Sequence, residues 1–273
     1  MRKTILITGA SSGIGRATAK FFAEKGWNVA ATMRAPKEET ELKELPNLKL
    51  YELDVTKKEH LKKIIPEVEA DFPMIDVLFN NAGYGAVGAF EKSSEEDVLQ
   101  QFQVNVFGVM DLCREFIPYF RMKGEGMIIN TSSVVGRFTI PLYSLYCSSK
   151  WALEGFTEAL QFELRMFNIK VKLIEPAAIK TDFHGRSLKV FDNEAVKGYE
   201  KMEKAILSGM RSRNEKAPGP EIVAKTVFKA AIDDSQKLRY PTGKDAGAVL
   251  LARKILPTSW FNKILLKQQT RRS

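Results

Sequence analysis

The chain has 273 residues, 44% of them hydrophobic, and a formal net charge of +9, which suits one large domain near the size where a single core stops growing. No apolar run approaches the ~18 residues of a membrane-spanning helix. Two cysteines, Cys113 and Cys147, form no disulfide framework and suit a reducing cytoplasmic setting, and the two histidines, His60 and His184, lack ligand-spaced partners, which argues against a metal centre.

Met1-Arg2-Lys3 before Thr4-Ile5-Leu6-Ile7 is too brief for a signal peptide and leads into a glycine turn, so residues 3–8 read as a first strand. The turn is Thr8-Gly9-Ala10-Ser11-Ser12-Gly13-Ile14-Gly15. A helix-period stretch follows from Arg16 to Lys25, with Ala17, Phe21 and Phe22 apolar, closed by Gly26. Strand, glycine turn and helix in that order make a phosphate cradle: Gly9, Gly13 and Gly15 let the backbone approach a pyrophosphate, and the helix N-terminus offers free N–H groups. Further strands are expected at 28–33, 48–54, 75–80, 126–132, 169–175 and 238–241, and strong helical periodicity at 57–71, 94–122 and 144–167. This alternation predicts an α/β fold, a single doubly wound parallel sheet of Rossmann type with helices on both faces and ligands at the carboxyl ends of the strands. There is no internal repeat or low-complexity linker.

Tyr146 and Lys150 stand four residues apart, about one helical turn, so both project from one helix face. An ammonium within ~4–6 Å of a phenol favours phenolate and lowers its ordinary pKa of ~10. Ser133, thirteen residues before Tyr146 in Thr131-Ser132-Ser133-Val134-Val135-Gly136, can hold a substrate oxygen for that phenol. Asn80-Asn81-Ala82-Gly83 follows the apolar run Ile75 to Phe79, and Asn105 lies in Val104-Asn105-Val106-Phe107-Gly108.

Together these motifs resemble the short-chain dehydrogenase/reductase family in its shorter, single-domain form, over about Lys3 to Thr242. The resemblance implies that Asn81, Ala82 and Gly83 pass close to an adenosine ribose and that Asn105 orders a water relay leading to Lys150. It also implies that Leu53-Asp54-Val55 clamps the adenine, with Asp54 taking its amino group. In Pro176-Ala177-Ala178-Ile179-Lys180-Thr181, the backbone at Ile179 and the side chain of Thr181 would hold the nicotinamide amide; the family usually has glycine where this chain has Ala177. Lys150 would bond the nicotinamide ribose. The expected domain is 1–242, with a substrate lid at about 182–218, followed by a basic helical extension at 243–273.

The second expected strand ends at Arg34, and no carboxylate precedes Glu38 to take a ribose 2′-hydroxyl. A guanidinium there can pair with the 2′-phosphate of NADP(H), and Ser11 and Ser12 can add hydrogen bonds. The expected activity is NADP(H)-dependent interconversion of a carbonyl and an alcohol, with Tyr146 as general acid/base, Lys150 keeping it acidic, and Ser133 stabilising charge on the substrate oxygen. Two other classes share the scaffold. A cofactor-binding regulator normally lacks the Tyr or the Lys, and both are here; an epimerase or lyase of the extended, sugar-nucleotide type is longer and spaces its glycines differently.

The lid carries Phe183, Leu188, Phe191, Tyr199, Met202, Ile206, Leu207 and Met210, which either line a roomy apolar cavity or form the inner face of a helix. The resemblance to the hydroxysteroid- and retinol-handling branch points to a lipophilic small molecule, and helices at 94–122 and 144–167 to a homodimer or homotetramer. From Lys237 onward nine Lys and Arg oppose one acid, Asp245, a local charge of +8. Val249, Leu250, Leu251, Ile255, Leu256, Trp260, Phe261, Ile264, Leu265 and Leu266 accompany them. Such a tail either packs on the body or makes peripheral membrane contact; no recognition motif supports nucleic-acid binding.

Overall fold

The computed structural model describes residues 2–181 and 187–270. Along the chain run β1 (Thr4–Ile7), α1 (Gly13–Glu24), β2 (Asn28–Met33), β3 (Leu48–Glu52), α2 (Lys58–Glu69), β4 (Val77–Asn80) and β5 (Gly85–Val87). Then come α3 (Glu95–Phe102), α4 (Gly108–Lys123), β6 (Gly126–Thr131), α5 (Ser144–Leu164), β7 (Ile169–Pro176), β8 (Leu188–Val190), α6 (Glu200–Glu215), α7 (Glu221–Ile232), β9 (Arg239–Thr242), α8 (Ala246–Ile255) and α9 (Thr258–Thr270). Seven strands form one parallel sheet in the order β3-β2-β1-β4-β6-β7-β9.

Both sheet faces are covered, and the side-chain period of two divides the core between them. Ile5, Ile7, Val29, Ala31, Val77, Phe79 and Ile129 point to the face packed by Phe22 of α1 and Val223 and Val227 of α7. Their neighbours Leu6, Ala30, Leu78 and Ile128 point to the other, against Leu61, Ile64, Leu112, Phe116, Phe120, Leu153 and Leu160 of α2, α4 and α5. Strand order reverses between β1 and β4, and the crevice at their carboxyl ends is where such a sheet binds ligands.

Two regions differ from the sequence reading. The single helix expected at 94–122 is interrupted: α3, capped by a reciprocal Ser94–Asp97 box, gives way at Gln103–Phe107 to a π-helical turn before α4 resumes. Residues 103–107 contain neither Gly nor Pro to mark a break, so the sequence does not show it; such bulges recur at functional sites. In the lid, Phe183 lies outside the described residues, and most of the remaining apolar side chains close onto the body. Phe191 packs with Ala86 and Leu145, Ile206 joins the cluster of Val134, Phe138 and Tyr143, and Met202 is exposed. Of the lid's apolar residues named above, Leu188 and Met210 face the cleft.

The described part of the segment expected to form a lid is tied down by β8 pairing in parallel with β5 and by polar links to the segment before and within α3. Lys92 pairs with Glu203 at 2.8 Å, Tyr199 donates to Glu91 at 2.9 Å, and Lys189 pairs with Asp97. The tail forms α8 and α9, whose inner residues Ala246, Val249, Leu250, Leu256, Phe261 and Leu265 join the apolar cluster under the lid.

Candidate active site

One cavity of about 790 Å³ runs from the glycine turn to the lid. At one end the turn after β1 delivers the chain into α1. Gly9 adopts φ +67°, a left-handed conformation that side chains disfavour, and a Cβ there would stand 2.9 Å from the Ala82 backbone. Gly15 lies behind the cavity wall, where a Cβ would collide with the Gly9 carbonyl and Asn81. Gly9, Ser11, Ser12, Gly13 and Ile14 line the cavity around the N-terminus of α1.

The Asn81–Gly83 segment after β4 is locked to this turn by a residue the sequence reading did not assign to the site. Thr8 Oγ1 accepts hydrogen bonds from the backbone N–H groups of Asn81 and Ala82, both at 2.9 Å, while Asn81 Nδ2 donates to the Thr8 carbonyl at 3.0 Å. Its signal was its place at the head of the glycine motif; its partners lie more than seventy residues away.

Arg34, at the end of β2, is exposed and lines the cavity with Leu53, Asp54 and Val55. Partial burial would raise the Asp54 carboxyl, but hydrogen bonds from Thr56 N (3.0 Å) and Oγ1 (2.7 Å), with the charge of Arg34, hold it below its usual range. Asp54 therefore presents an anion and Arg34 a cation at the same end of the cleft. No group of three or more metal-ligating side chains occurs among the described residues.

At the other end stand Ser133, Tyr146 and Lys150, on the turn after β6 and the first turns of α5. Ser133 Oγ donates to the Pro176 carbonyl at 3.2 Å, accepts from Val135 N at 3.3 Å and is hydrogen-bonded to Tyr146. Lys150 is buried, with Nζ donating to the Thr131 carbonyl at 2.8 Å and lying 5.8 Å from the centroid of the Tyr146 ring. Burial lowers its pKa to about 8, partly opposed by Glu154.

The expected depression of Tyr146 by Lys150 is not what this geometry gives. Burial pushes the phenol up, and the Ser133 hydrogen bond is what pulls it back. The physical reason is competition: Lys150 directs its amine to a backbone carbonyl, and burial penalises the phenolate more strongly.

Asn105 sits at the π-turn rather than on the cavity wall. Its Oδ1 accepts from Tyr84 N at 3.0 Å, and its Nδ2 donates to the Tyr84 carbonyl at 2.9 Å and to Ser149 Oγ at 3.2 Å, so it braces α5 one residue before Lys150. Pro176, Ile179 and Thr181 line the cavity after β7. All the expected site residues other than Gly15 and Asn105 therefore face one cavity. Residues the sequence reading did not single out complete this end: Tyr84, Ile140, Arg213 and Asn214, beside Lys189.

A network of charged groups backs this constellation. Arg137 Nη1 reaches Glu175 Oε1 at 3.1 Å, and Arg239 Nε reaches Glu154 Oε2 at 3.0 Å and Glu175 Oε1 at 3.5 Å. Glu154 and Glu175 are almost completely buried; burial and the neighbouring Glu154 raise the Glu175 carboxyl to about 7 against its arginine partners.

Comparison with known proteins accords with this geometry. The family described as short chain dehydrogenase matches residues 3–189. An uncharacterized oxidoreductase of Bacillus subtilis, YusZ, is 38% identical over 98% of both chains. A short-chain dehydrogenase/reductase from Burkholderia phymatum, solved with NAD, superposes with a TM-score of 0.80 at 26% identity over 93% of this chain and 92% of that one. An alcohol dehydrogenase from the archaeon Thermococcus sibiricus, complexed with 5-hydroxy-NADP, gives a TM-score of 0.73 at 26% identity over 89% and 97%.

Proposed function

Because the chain belongs to the short-chain dehydrogenase/reductase family and is an oxidoreductase of it, we propose that it uses NADP(H) to interconvert a lipophilic carbonyl compound and its alcohol. The observation that carries this reading is the convergence of Ser133, Tyr146 and Lys150 on a cavity whose far end holds Arg34 and the glycine turn. The cavity floor formed by Gly9, Ser11, Ser12, Gly13 and Ile14 at the N-terminus of α1, in a turn kept tight because a side chain at Gly9 or Gly15 would collide with Ala82 or the Gly9 carbonyl, fits a pyrophosphate there. When bound, the nicotinamide cofactor supplies or accepts the hydride.

The chain's own residues do the rest. Tyr146 gives a proton to the substrate oxygen in reduction and takes it back in oxidation, a contribution of roughly 10²–10⁴-fold. Ser133, already hydrogen-bonded to Tyr146, orients that oxygen. Lys150 brings a cation beside the phenol, and Asn105 holds α5 and the Tyr84 backbone in register behind it. Arg34 would hold the 2′-phosphate of NADP(H), Asp54 and Val55 would clamp the adenine, and Ile179 and Thr181 would hold the nicotinamide amide, all of them lining the same cavity.

A lipophilic substrate is supported by Val134, Val135, Ile140, Tyr143, Leu188 and Met210, which wall the lid end. Self-association through α4 and α5 is supported by exposed Met122, Trp151, Phe162 and Met166 on and just beyond these helices; sedimentation would report a dimer or tetramer, and a monomer would refute it. The test of function follows absorbance at 340 nm for wild type and Tyr146→Phe, with both nicotinamide cofactors, against panels of ketones, aldehydes and alcohols. Turnover of a panel member that the variant loses while still binding NADPH supports the proposal. Tight NADPH binding with no turnover of any member by the wild type overturns it in favour of a cofactor-binding regulator.

A further inference from the structure

The tail helices have two faces. Inward, Phe261 of α9 meets Phe138 edge-on at 5.5 Å between ring centroids and shares an apolar cluster with Tyr143 and Met210, both of which line the cavity. Arg253 is turned inward too, lying over the Phe261 ring and donating to Thr258 Oγ1 at 2.9 Å, which pins α8 to α9.

Outward, the surface is apolar and basic at once. Leu251 and Ile255 are one turn apart on α8 and are 57% and 68% exposed; Trp260 and Ile264 are one turn apart on α9 and are 62% and 49% exposed. Leu266 is exposed as well, and Lys254, Lys263 and Lys267 stand exposed among them. From Lys237 onward the sequence carries +8 of the chain's +9.

We propose that this outer face of α8 and α9 docks on the surface of an anionic lipid bilayer. Large aliphatic side chains and a tryptophan left in water at helical spacing, with lysines beside them, are what an interfacial helix presents to the acyl–headgroup boundary. Lysine stems lie along the apolar surface while their ammonium groups reach lipid phosphates. Charge selects the occupant: a second copy would bring two strongly basic faces together, which repel, whereas an anionic bilayer complements them. The helices are anchored to the body by their inner faces, so they lie on the bilayer rather than enter it; among the described residues no helix is long and apolar enough to cross. The docking face backs the apolar cluster that walls the cavity. A lipophilic substrate carried by the membrane would thus be released beside the lid, a consequence that rests on the reductase reading, whereas docking does not.

The experiment uses the full chain and reads no catalysis. Protein is co-sedimented with vesicles of phosphatidylcholine alone, or mixed with phosphatidylglycerol, at low and high salt. Trp260 is followed by quenching with brominated lipid, with Trp260→Phe as control. We expect capture by the phosphatidylglycerol vesicles, loss of capture in high salt, and quenching that the Trp260→Phe control lacks. Lys254→Glu/Lys263→Glu/Lys267→Glu should weaken capture by at least about tenfold while leaving the melting temperature unchanged. Absence of capture at low salt overturns the proposal. So does capture that the charge-reversal variant retains, or a dimer that Trp260→Glu/Ile264→Glu dissociates while vesicles capture neither form. Equal retention on anionic vesicles and on single-stranded RNA, without Trp260 quenching, would reduce the face to a nonspecific polycation and overturn it as well.

Discussion

Arg239, on the edge strand β9, donates from Nε to Glu154 Oε2 at 3.0 Å, one helical turn beyond Lys150. The same guanidinium approaches Glu175, and Glu175 precedes Pro176, whose carbonyl receives the Ser133 hydroxyl. Arg137, three residues after the strand-end turn begins at Val134, reaches the same Oε1 of Glu175. The turn after β6, the start of α5 and the end of β7 each carry a site residue, and the charged network joins all three.

This arrangement predicts how Lys150 titrates. Burial takes its pKa from an ordinary 10.5 to about 8, with Glu154 holding it up. Glu154→Gln should therefore lower it further. Competitive acylation of the protein across a pH series, read for the Lys150 peptide by mass spectrometry, should give a midpoint near 8 in wild type and a lower one in the variant. An unchanged midpoint would show that Glu154 only supports the fold. The sign for stability follows. Between pH 8 and 10.5 the unfolded chain holds a proton that folded Lys150 has released, so the penalty of burying this ammonium is full below pH 8 and fades as pH rises.

Cofactor choice can be tested at Arg34. Replacing it with Asp removes the cation that would pair with a 2′-phosphate in the proposed NADP(H) reading and supplies a carboxylate suited to a ribose hydroxyl. A charge-assisted hydrogen bond is worth about 1.5–3 kcal/mol, so the ratio of NADPH to NADH affinity should fall roughly 10–100-fold or more. Fluorescence titration of both cofactors measures it, and a ratio that does not move removes Arg34 from the argument.

How much of this was legible in the sequence depended on distance along the chain. The glycine turn, Tyr146 with Lys150, and the alternation of β1 to β4 with their helices are local patterns, and local geometry dictates them. The π-turn at Gln103–Phe107 was hidden because its residues include no Gly or Pro to mark a break in the helical run. The Lys92–Glu203 and Arg239–Glu154 pairs join residues more than eighty positions apart, and a charged residue carries no mark of which distant partner it will meet. The apolar lid residues fitted either a cavity wall or a packed helix face, and only tertiary packing chose the second for Phe191 and Ile206.

Thr8 is one of those nonlocal residues whose loss has a defined cost. Its hydroxyl satisfies two backbone N–H groups at the Asn81–Ala82 turn. Thr8→Val keeps the shape and leaves both donors without that acceptor, which should cost about 1–3 kcal/mol of stability. Urea unfolding would read this directly. NADPH affinity should fall in the same variant, because the Asn81–Gly83 segment and the glycine turn are then no longer held in register; Thr8→Ser should restore both. A Thr8→Val protein as stable as wild type would show that the turn is held by Asn81 alone.

The lid latch offers a separation of substrate from cofactor effects. Lys92 and Glu203 pair at 2.8 Å with side chains only 10% and 17% exposed, and they join the segment before α3 to the lid helix α6. Removing one member of so covered a pair leaves its partner's charge poorly solvated, which destabilises more than loss of a surface ion pair does. Lys92→Met should therefore loosen α6 while leaving the glycine turn and Arg34 untouched. Limited proteolysis should cut within 200–215 faster than in wild type, and in the proposed reaction the KM for a carbonyl substrate should rise several-fold with NADPH affinity unchanged. Joint loss of both affinities would mean that the latch holds the whole cleft rather than the lid alone.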